Sequence, residues 1–251
     1  MKRKRKRFYQ LLRRLVGTIL FLCLLVGILF QLKNIPSKNK ETISHEKQNT
    51  STENTTSAAI TLEDWNLVLV NPWNPLSDDF SVTLTQLKNG HAIDERAYPD
   101  LQDMMDAARA EGLSPLICSS YRTYEKQQLL YNNKVNEYLN QGYSLEEAKS
   151  EAGKWVAVPG TSEHHTGLAV DIVSTDYQLL DEAQEDTAEQ KWLMKNSYKY
   201  GFILRYPNEK SEITGIYYEP WHYRYVGKDA AREIYEQGIC LEEYLLLNLQ
   251  K

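Results

Sequence analysis

The apolar positions divide the chain into three stretches. From Leu15 to Phe30 they follow one another almost without interruption and leave no polar face, before Gln31 and Leu32 lead into Lys33. Such a run lies near the lower end of the roughly 17–25 residues a membrane-spanning helix needs and exceeds the roughly 7–15 of a cleavable signal core. It predicts a transmembrane signal anchor over residues 15–32. From 33 to 63 the apolar positions thin out, and "NIPSKNKETISHEKQNTSTENTTSAAITLE" has too little to bury to repay the entropy of ordering. A disordered linker is expected there, with His45 an ordinary linker residue. Periodic patterns return over 64–251, long enough for one well-buried domain.

Within that domain, "NLVLVNPWNPL" predicts a short strand, Asn66 to Val70, closed by Asn-Pro turns. "YPDLQDMMDAARAEGL" puts Pro99 in a first turn, apolar residues at Leu101, Met104, Met105 and Ala108, and a stop at Gly112, which together predict an amphipathic helix. "SPLICSSYRT" reads as strand. A second helix is expected from Thr123 to near Gly142, and Ser144 with Glu147 forms a capping-box pattern for a shorter third. Leu168 to Val173 is a β-branched strand, and the acidic "STDYQLLDEAQED" is expected to be loop. Thr187 with Gln190 caps a helix that ends at Gly201. "FILRY" and "HYRYV" predict further strands, and Lys228 to Leu249 is helical around a break at Gly238. Helices and strands mix without a βαβ repeat or a glycine-rich phosphate loop, so the expected class is α+β.

Charge adds orientation and excludes one class of partner. Eight of the 29 Lys and Arg lie in the head, residues 1–14, and no comparable cluster follows the apolar run. The positive-inside rule then keeps the N-terminus cytoplasmic and places the C-terminal domain outside a single-pass membrane anchor. A cleaved signal peptide competes with this reading, but no small-x-small site follows the run. A buried core helix would not carry so dense a basic flank. Without the head the chain is distinctly acidic, against 34 Asp and Glu, which argues against nucleic acid. Cys23 falls in the membrane run. Cys118 and Cys240 could pair in an oxidising compartment, but two cysteines make no framework, and buried free thiols are the expectation.

The candidate chemistry lies in "GTSEHHTGLAVD". A carboxylate inside the strand "LAVDIV" is costly to bury unless it is paired or holds a metal. His164 stands seven residues before Asp171, with Gly167 to bend the chain between them. His222 in "YYEPWHYRYVG" offers a third ligand, and Glu219 sits three residues ahead of it. Two imidazoles and one carboxylate with a fourth position open match a catalytic zinc site. Glu219 would then act as general base, and Arg122, at the exit of the "LICSS" strand, as the cation for a developing oxyanion or a substrate carboxylate.

"SEHHTGLAVD" fits S-x-H-x-x-G-x-A-x-D, "EPWH" fits E-x-x-H, and "SSYRTYEKQ" fits S-x-Y-R-[ST]-x-x-x-Q. In these three motifs, in this order, the chain resembles the VanY-type zinc D-Ala-D-Ala carboxypeptidases of the M15 peptidase group. The similarity runs from "LVLVNPWNPL" to "WHYRYVG". It implies an α+β fold with a small, mainly antiparallel sheet, flanking helices and a zinc cleft, of the hedgehog/D-Ala-D-Ala-peptidase type. It implies His164, Asp171 and His222 as ligands of one Zn2+, Glu219 as catalytic base, Arg122 at the substrate or oxyanion, and Gln127 and Ser162 as substrate-side polar groups. His165 falls at a variable position of the pattern and is expected to be a neighbour rather than a ligand. The implied activity is removal of the C-terminal D-alanine from peptidoglycan stem peptides. L,D-carboxypeptidase action on tetrapeptide stems is the close alternative. A non-catalytic wall-binding module would be expected to have lost a ligand or the glutamate, and all four positions are filled.

Overall fold

The strand Ala169–Ser174 (β4) is central to the domain and carries Asp171 in its middle. The computed structural model describes residues 64–248, so the expected head, membrane anchor and linker lie outside the described residues. Among the described residues no helix is long and apolar enough to cross a membrane. The elements run β1 (Leu84–Gln86), β2 (Ala92–Asp94), α1 (Tyr98–Ala110), β3 (Pro115–Ser119), α2 (Tyr124–Asn140), α3 (Leu145–Gly153), β4, α4 (Ala188–Asn196), β5 (Phe202–Leu204), α5 (Ser211–Thr214), β6 (His222–Tyr225), α6 (Lys228–Gln237) and α7 (Leu241–Asn248), with short 3-10 turns between. The larger sheet has the order β3-β4-β6-β5 and is antiparallel throughout; β1 and β2 form a separate hairpin.

Alternation along β4 separates two jobs. Val170 and Ile172 face a core built with Leu101, Met104 and Met105 of α1, Trp192 and Leu193 of α4, and Tyr223 of β6. Asp171 faces the other way, where its register partners are Ser119 on β3 and His222 on β6. The polar side chain thus leaves the core while its strand neighbours stay in it. The β3–β4 register shifts between Ile117 and Ser119, an irregularity of the kind that re-aims side chains next to a site. A second apolar cluster joins Ile203 and Val226 to α6 and α7. The α2–α3 pair closes on Val135, Ala148 and Ala152.

The α+β class, the helices and the central strands agree with the pattern reading, including the Ser144–Glu147 capping box and the helix break at Gly238. Three segments differ. Asn66–Val70 is not a strand, because its carbonyls are used otherwise: the buried Arg224 guanidinium donates to the carbonyl oxygens of Asn66 at 3.1 Å and Val68 at 2.8 Å. The acidic stretch after β4 contains a 3-10 turn, Glu182–Asp186, organised by buried Gln184, whose Nε2 donates to the carbonyls of Tyr177 and Leu179. The β1–β2 hairpin was not expected; its strands are only three residues each, too short for a period-2 signal.

Candidate metal centre

The turn before β4 places the first histidine. Glu163–Thr166 forms a 3-10 turn held by the Thr166 hydroxyl, which donates to the Glu163 carbonyl at 2.6 Å and accepts from the Leu168 N–H at 3.0 Å. Gly167 ends the turn at φ +72, where an added Cβ would lie 3.1 Å from the Asp94 nitrogen, so both its conformation and its surroundings require glycine. This geometry brings His164 under β4. Its Nδ1 lies 2.7 Å from the Ser120 carbonyl oxygen, an acceptor, so the proton sits on Nδ1 and the Nε2 lone pair faces Asp171 Oδ2 at 3.3 Å.

His222 arrives from the opposite side by sheet register. Its Nδ1 lies 3.1 Å from Asp171 Oδ1 and 3.5 Å from Glu219 Oε2. One ligating atom from each of His164, Asp171 and His222 lies within 4.8 Å of the others, and all three side chains are buried. Two imidazole nitrogens thus lie 3.3 Å and 3.1 Å from the two oxygens of one buried carboxylate, a His-His-Asp donor set of the kind that tetrahedral zinc takes. Asp171 Oδ1 is buried without a hydrogen-bond partner, as a carboxylate oxygen shaped for a cation would be. The donor set fits one zinc ion.

Burial and mutual contact set the ionisation of these groups. Burial, with help from the Arg122 cation, pushes the His164 imidazole down to about 4, so it is neutral and ready to ligate at pH 7. Burial works against the charge of Asp171, but His164 and Arg122 outweigh it and hold the carboxyl well below the usual range. Burial also opposes a charged His222, yet Asp171, Glu163 and Glu219 together push that group up to about 9. Burial pushes the Glu219 carboxyl up to about 8, against the pull of His222. Glu219 is set by the tight turn into β6, where its N–H donates to the Tyr206 carbonyl and its own carbonyl accepts from the His222 N–H.

These groups sit on a cleft of about 730 Å³ whose walls include Arg122, Gln127, Ser162, Glu219 and Trp221. Arg122 is pinned from three sides: Nε donates to Ser119 Oγ at 2.8 Å, Nη1 to Gln127 Oε1 at 3.3 Å and Nη2 to Asp171 Oδ2 at 2.6 Å. Gln127 uses the other end of its amide on the Ala157 carbonyl, at 2.7 Å, so it holds Arg122 from the cleft wall. Ser162 also lines the cleft, immediately ahead of the 3-10 turn. His165 is buried, facing away from the three ligands. Its Nδ1 lies 2.8 Å from the Arg122 carbonyl, its Nε2 accepts from the Gly160 N–H at 3.2 Å, and its ring stacks on Tyr124. It braces the segment that carries Arg122.

One group of residues escaped sequence reasoning. Glu163, Arg205 and Arg224 are fully buried beside His222, in a network that also takes in Glu242. A signal existed: arginines inside the β-rich runs "FILRY" and "HYRYV", where a charge can be buried only with a partner. Cys118 and Cys240 are both free, as expected, but of the two only Cys240 is buried and Cys118 is half-buried.

Comparison with known proteins agrees with this geometry. A D-alanyl-D-alanine carboxypeptidase of Enterococcus faecalis is 54% identical over 183 residues, covering 73% of this chain and 66% of that protein. One from Enterococcus faecium is 34% identical over 220 residues, covering 80% of this chain and 65% of its own length. The chain therefore spans just under two thirds of the length of these relatives. Among solved structures, the zinc complex of a mutant vancomycin-resistance D,D-pentapeptidase VanY from a VanB-type cassette aligns at 54% identity with a TM-score of 0.67, covering 72% of this chain and 99% of that one. The LdcB LD-carboxypeptidase aligns at 38% identity with a TM-score of 0.58, covering 73% and 87%. The sequence model of VanY, D-alanyl-D-alanine carboxypeptidase, matches residues 90–228, more than half of the chain and all of the metal centre. The chain belongs to the VanY family of D-alanyl-D-alanine carboxypeptidases.

Proposed function

We propose that this protein is a membrane-anchored zinc metallopeptidase that removes the C-terminal D-alanine from peptidoglycan stem peptides outside the cell. The observation that carries the reading is the convergence of His164, Asp171 and His222 with Glu219 beside them on an open cleft. Those three residues would hold the ion, which when bound acidifies water and polarises a carbonyl. Glu219, whose Oε2 lies 3.5 Å from His222 Nδ1 on the cleft lining, takes a proton from the attacking water and delivers it to the leaving amine nitrogen. The Arg122 guanidinium, held by Ser119, Gln127 and Asp171, faces the cleft as the fixed cation for the substrate's terminal carboxylate or for charge developing on the carbonyl oxygen. Ser162 adds a polar group to the cleft lining.

The basic head, the apolar run over 15–32 and the linker over 33–63 would tether the domain at the outer face of the membrane, within reach of the wall. Action on a pentapeptide stem is favoured because the VanY D,D-pentapeptidase is similar at 54% identity and the LD-carboxypeptidase at 38%. The test is incubation of the zinc-loaded full-length protein with pentapeptide and tetrapeptide stems, followed by mass analysis. Loss of one alanine from the pentapeptide is expected. Cleavage of the tetrapeptide alone would replace this reading by the L,D one, and no cleavage of either would remove both.

A further inference from the structure

We propose that Glu163 is a positioning residue for the metal centre: it accepts the hydrogen on His222 Nε2 and so leaves Nδ1 free to ligate. This rests on the zinc reading above. Two buried atoms carry it. Glu163 Oε2 and His222 Nε2 lie 3.5 Å apart, both buried, and neither has a hydrogen-bond partner among the described residues. The opposite side of the same ring, Nδ1, faces Asp171 Oδ1 at 3.1 Å. His222 therefore has Glu163 on its Nε2 side and Asp171 and Glu219 on its Nδ1 side, and of these Asp171 alone belongs to the ligand set. A ligating imidazole needs its second nitrogen protonated and held, and here the carboxylate that holds it comes from the residue next to the first ligand. His164 has the same provision from a different acceptor, the Ser120 carbonyl.

The fold fixes which Glu163 oxygen does this. Oε1 accepts from Arg205 Nε and from Arg224 Nη1, each at 2.7 Å. Arg224 lies two residues after His222 on β6, hence on the same face, and the Arg205 N–H donates to the His222 carbonyl from the neighbouring chain segment. Arg205 is anchored beyond Glu163 by Glu242, with Nη1 to Oε2 at 2.9 Å and Nη2 to Oε1 at 2.7 Å. Arg224 is anchored by the carbonyls of Asn66, Val68 and Tyr225. The two guanidiniums thus fix the carboxylate plane, and the remaining oxygen points at His222.

This arrangement makes Glu163→Gln a variant with a specific chemical fault. The amide oxygen must take the Oε1 place to satisfy two guanidinium N–H groups, which turns the amide nitrogen, a donor, toward His222 Nε2. The imidazole is then driven to carry its proton on Nδ1, where the metal should bind. Glu242→Gln disturbs Arg205 from the far side and does not touch His222, so it reports the cost of loosening the network alone.

The experiment measures zinc affinity of the full-length protein in detergent by competition with a chromophoric chelator, alongside thermal unfolding of the metal-free forms. The wild type binding zinc tests the underlying reading, and its failure to bind would remove that reading first. Given binding, Glu163→Gln is expected to weaken zinc by about 10- to 100-fold, the range for loss of such a partner. Glu242→Gln should stay within about twofold of the wild type. Equal affinity in Glu163→Gln and the wild type, or equal weakening in both variants, overturns the proposal. A second measurement needs no variant: in zinc-loaded wild type labelled with 15N-histidine, long-range 1H–15N correlation should place a slowly exchanging proton on His222 Nε2. A proton on Nδ1 instead overturns the proposal even if Glu163→Gln does not fold.

Discussion

Asp171 and His222 are register partners on adjacent antiparallel strands, and their side chains meet on one face with Oδ1 3.1 Å from Nδ1. Two of the three ligands are therefore positioned by backbone hydrogen bonding, and the third by the 3-10 turn that feeds the same strand. Replacing His164 by Ala removes a ligand and should abolish stoichiometric zinc. Replacing His165 by Ala should retain zinc but lose about 1–3 kcal/mol of stability, since the Arg122 carbonyl and the Gly160 N–H lose a buried partner. Metal analysis of the purified variants together with thermal melts separates the two effects, and zinc loss in His165→Ala alone would reverse the assignment.

Glu219→Ala should keep zinc bound and lower D-alanine release by at least about 100-fold, the usual contribution of a positioned acid–base group. Steady-state assays with the metal content checked in the same sample decide it. Undiminished release would remove Glu219 from the role.

Gln127→Ala frees the Arg122 guanidinium on one side and opens the Ala157 carbonyl on the other, without touching the ligands. A hydrogen bond contributes about 1 kcal/mol net, so kcat/KM should fall about fivefold with zinc affinity intact. A fall in zinc affinity instead would show that Gln127 acts on the metal through Asp171.

Burial pushes the Cys118 thiol up to about 12 and the Cys240 thiol up to about 11. Because the thiolate is the reactive form, both should resist iodoacetamide at pH 8 in the folded protein, by more than roughly 100-fold relative to the unfolded chain. Mass spectrometry of samples quenched over time, with and without denaturant, measures this.

Glu163 and Glu242 are both buried, which disfavours their charge, yet Arg205 holds both below their ordinary 4.5, with Arg224 acting on Glu163 as well. The folded state therefore binds fewer protons than the unfolded chain in the acid range. The stability they contribute is present above about pH 4.5 and is lost as pH falls below it. The melting temperature of the metal-free protein should hold down to about pH 5 and drop as pH falls from about 5 to about 3. The drop should be smaller in Glu242→Gln, which removes one of the two titrating groups.

Much of this was legible along the chain because it depends on local pattern. Helix starts could be read at Thr123, Ser144 and Thr187 because a capping side chain acts within three residues of its own position, and each does accept the expected N–H. The ligands were legible because a carboxylate in an apolar strand and a histidine beyond a glycine bend have few uses. Asn66–Val70 misled because β-rich composition shows that a segment can extend and does not show what will bond its carbonyls. Here a side chain 158 residues away does so for Asn66.

By itself the sequence determined the chemistry on offer: two histidines, an aspartate and a glutamate in recognisable spacing, an arginine at a strand exit and an apolar run behind a basic head. Only the tertiary structure decided which atoms face one another. Sheet register joined Asp171 to His222, Ser120 took the far nitrogen of His164, and Glu163, next to a ligand in sequence, reached the far nitrogen of a different one. The physical reason is range. Capping and periodicity act over a few residues, whereas the orientation of an imidazole is set by whichever buried acceptor the folded chain brings against it.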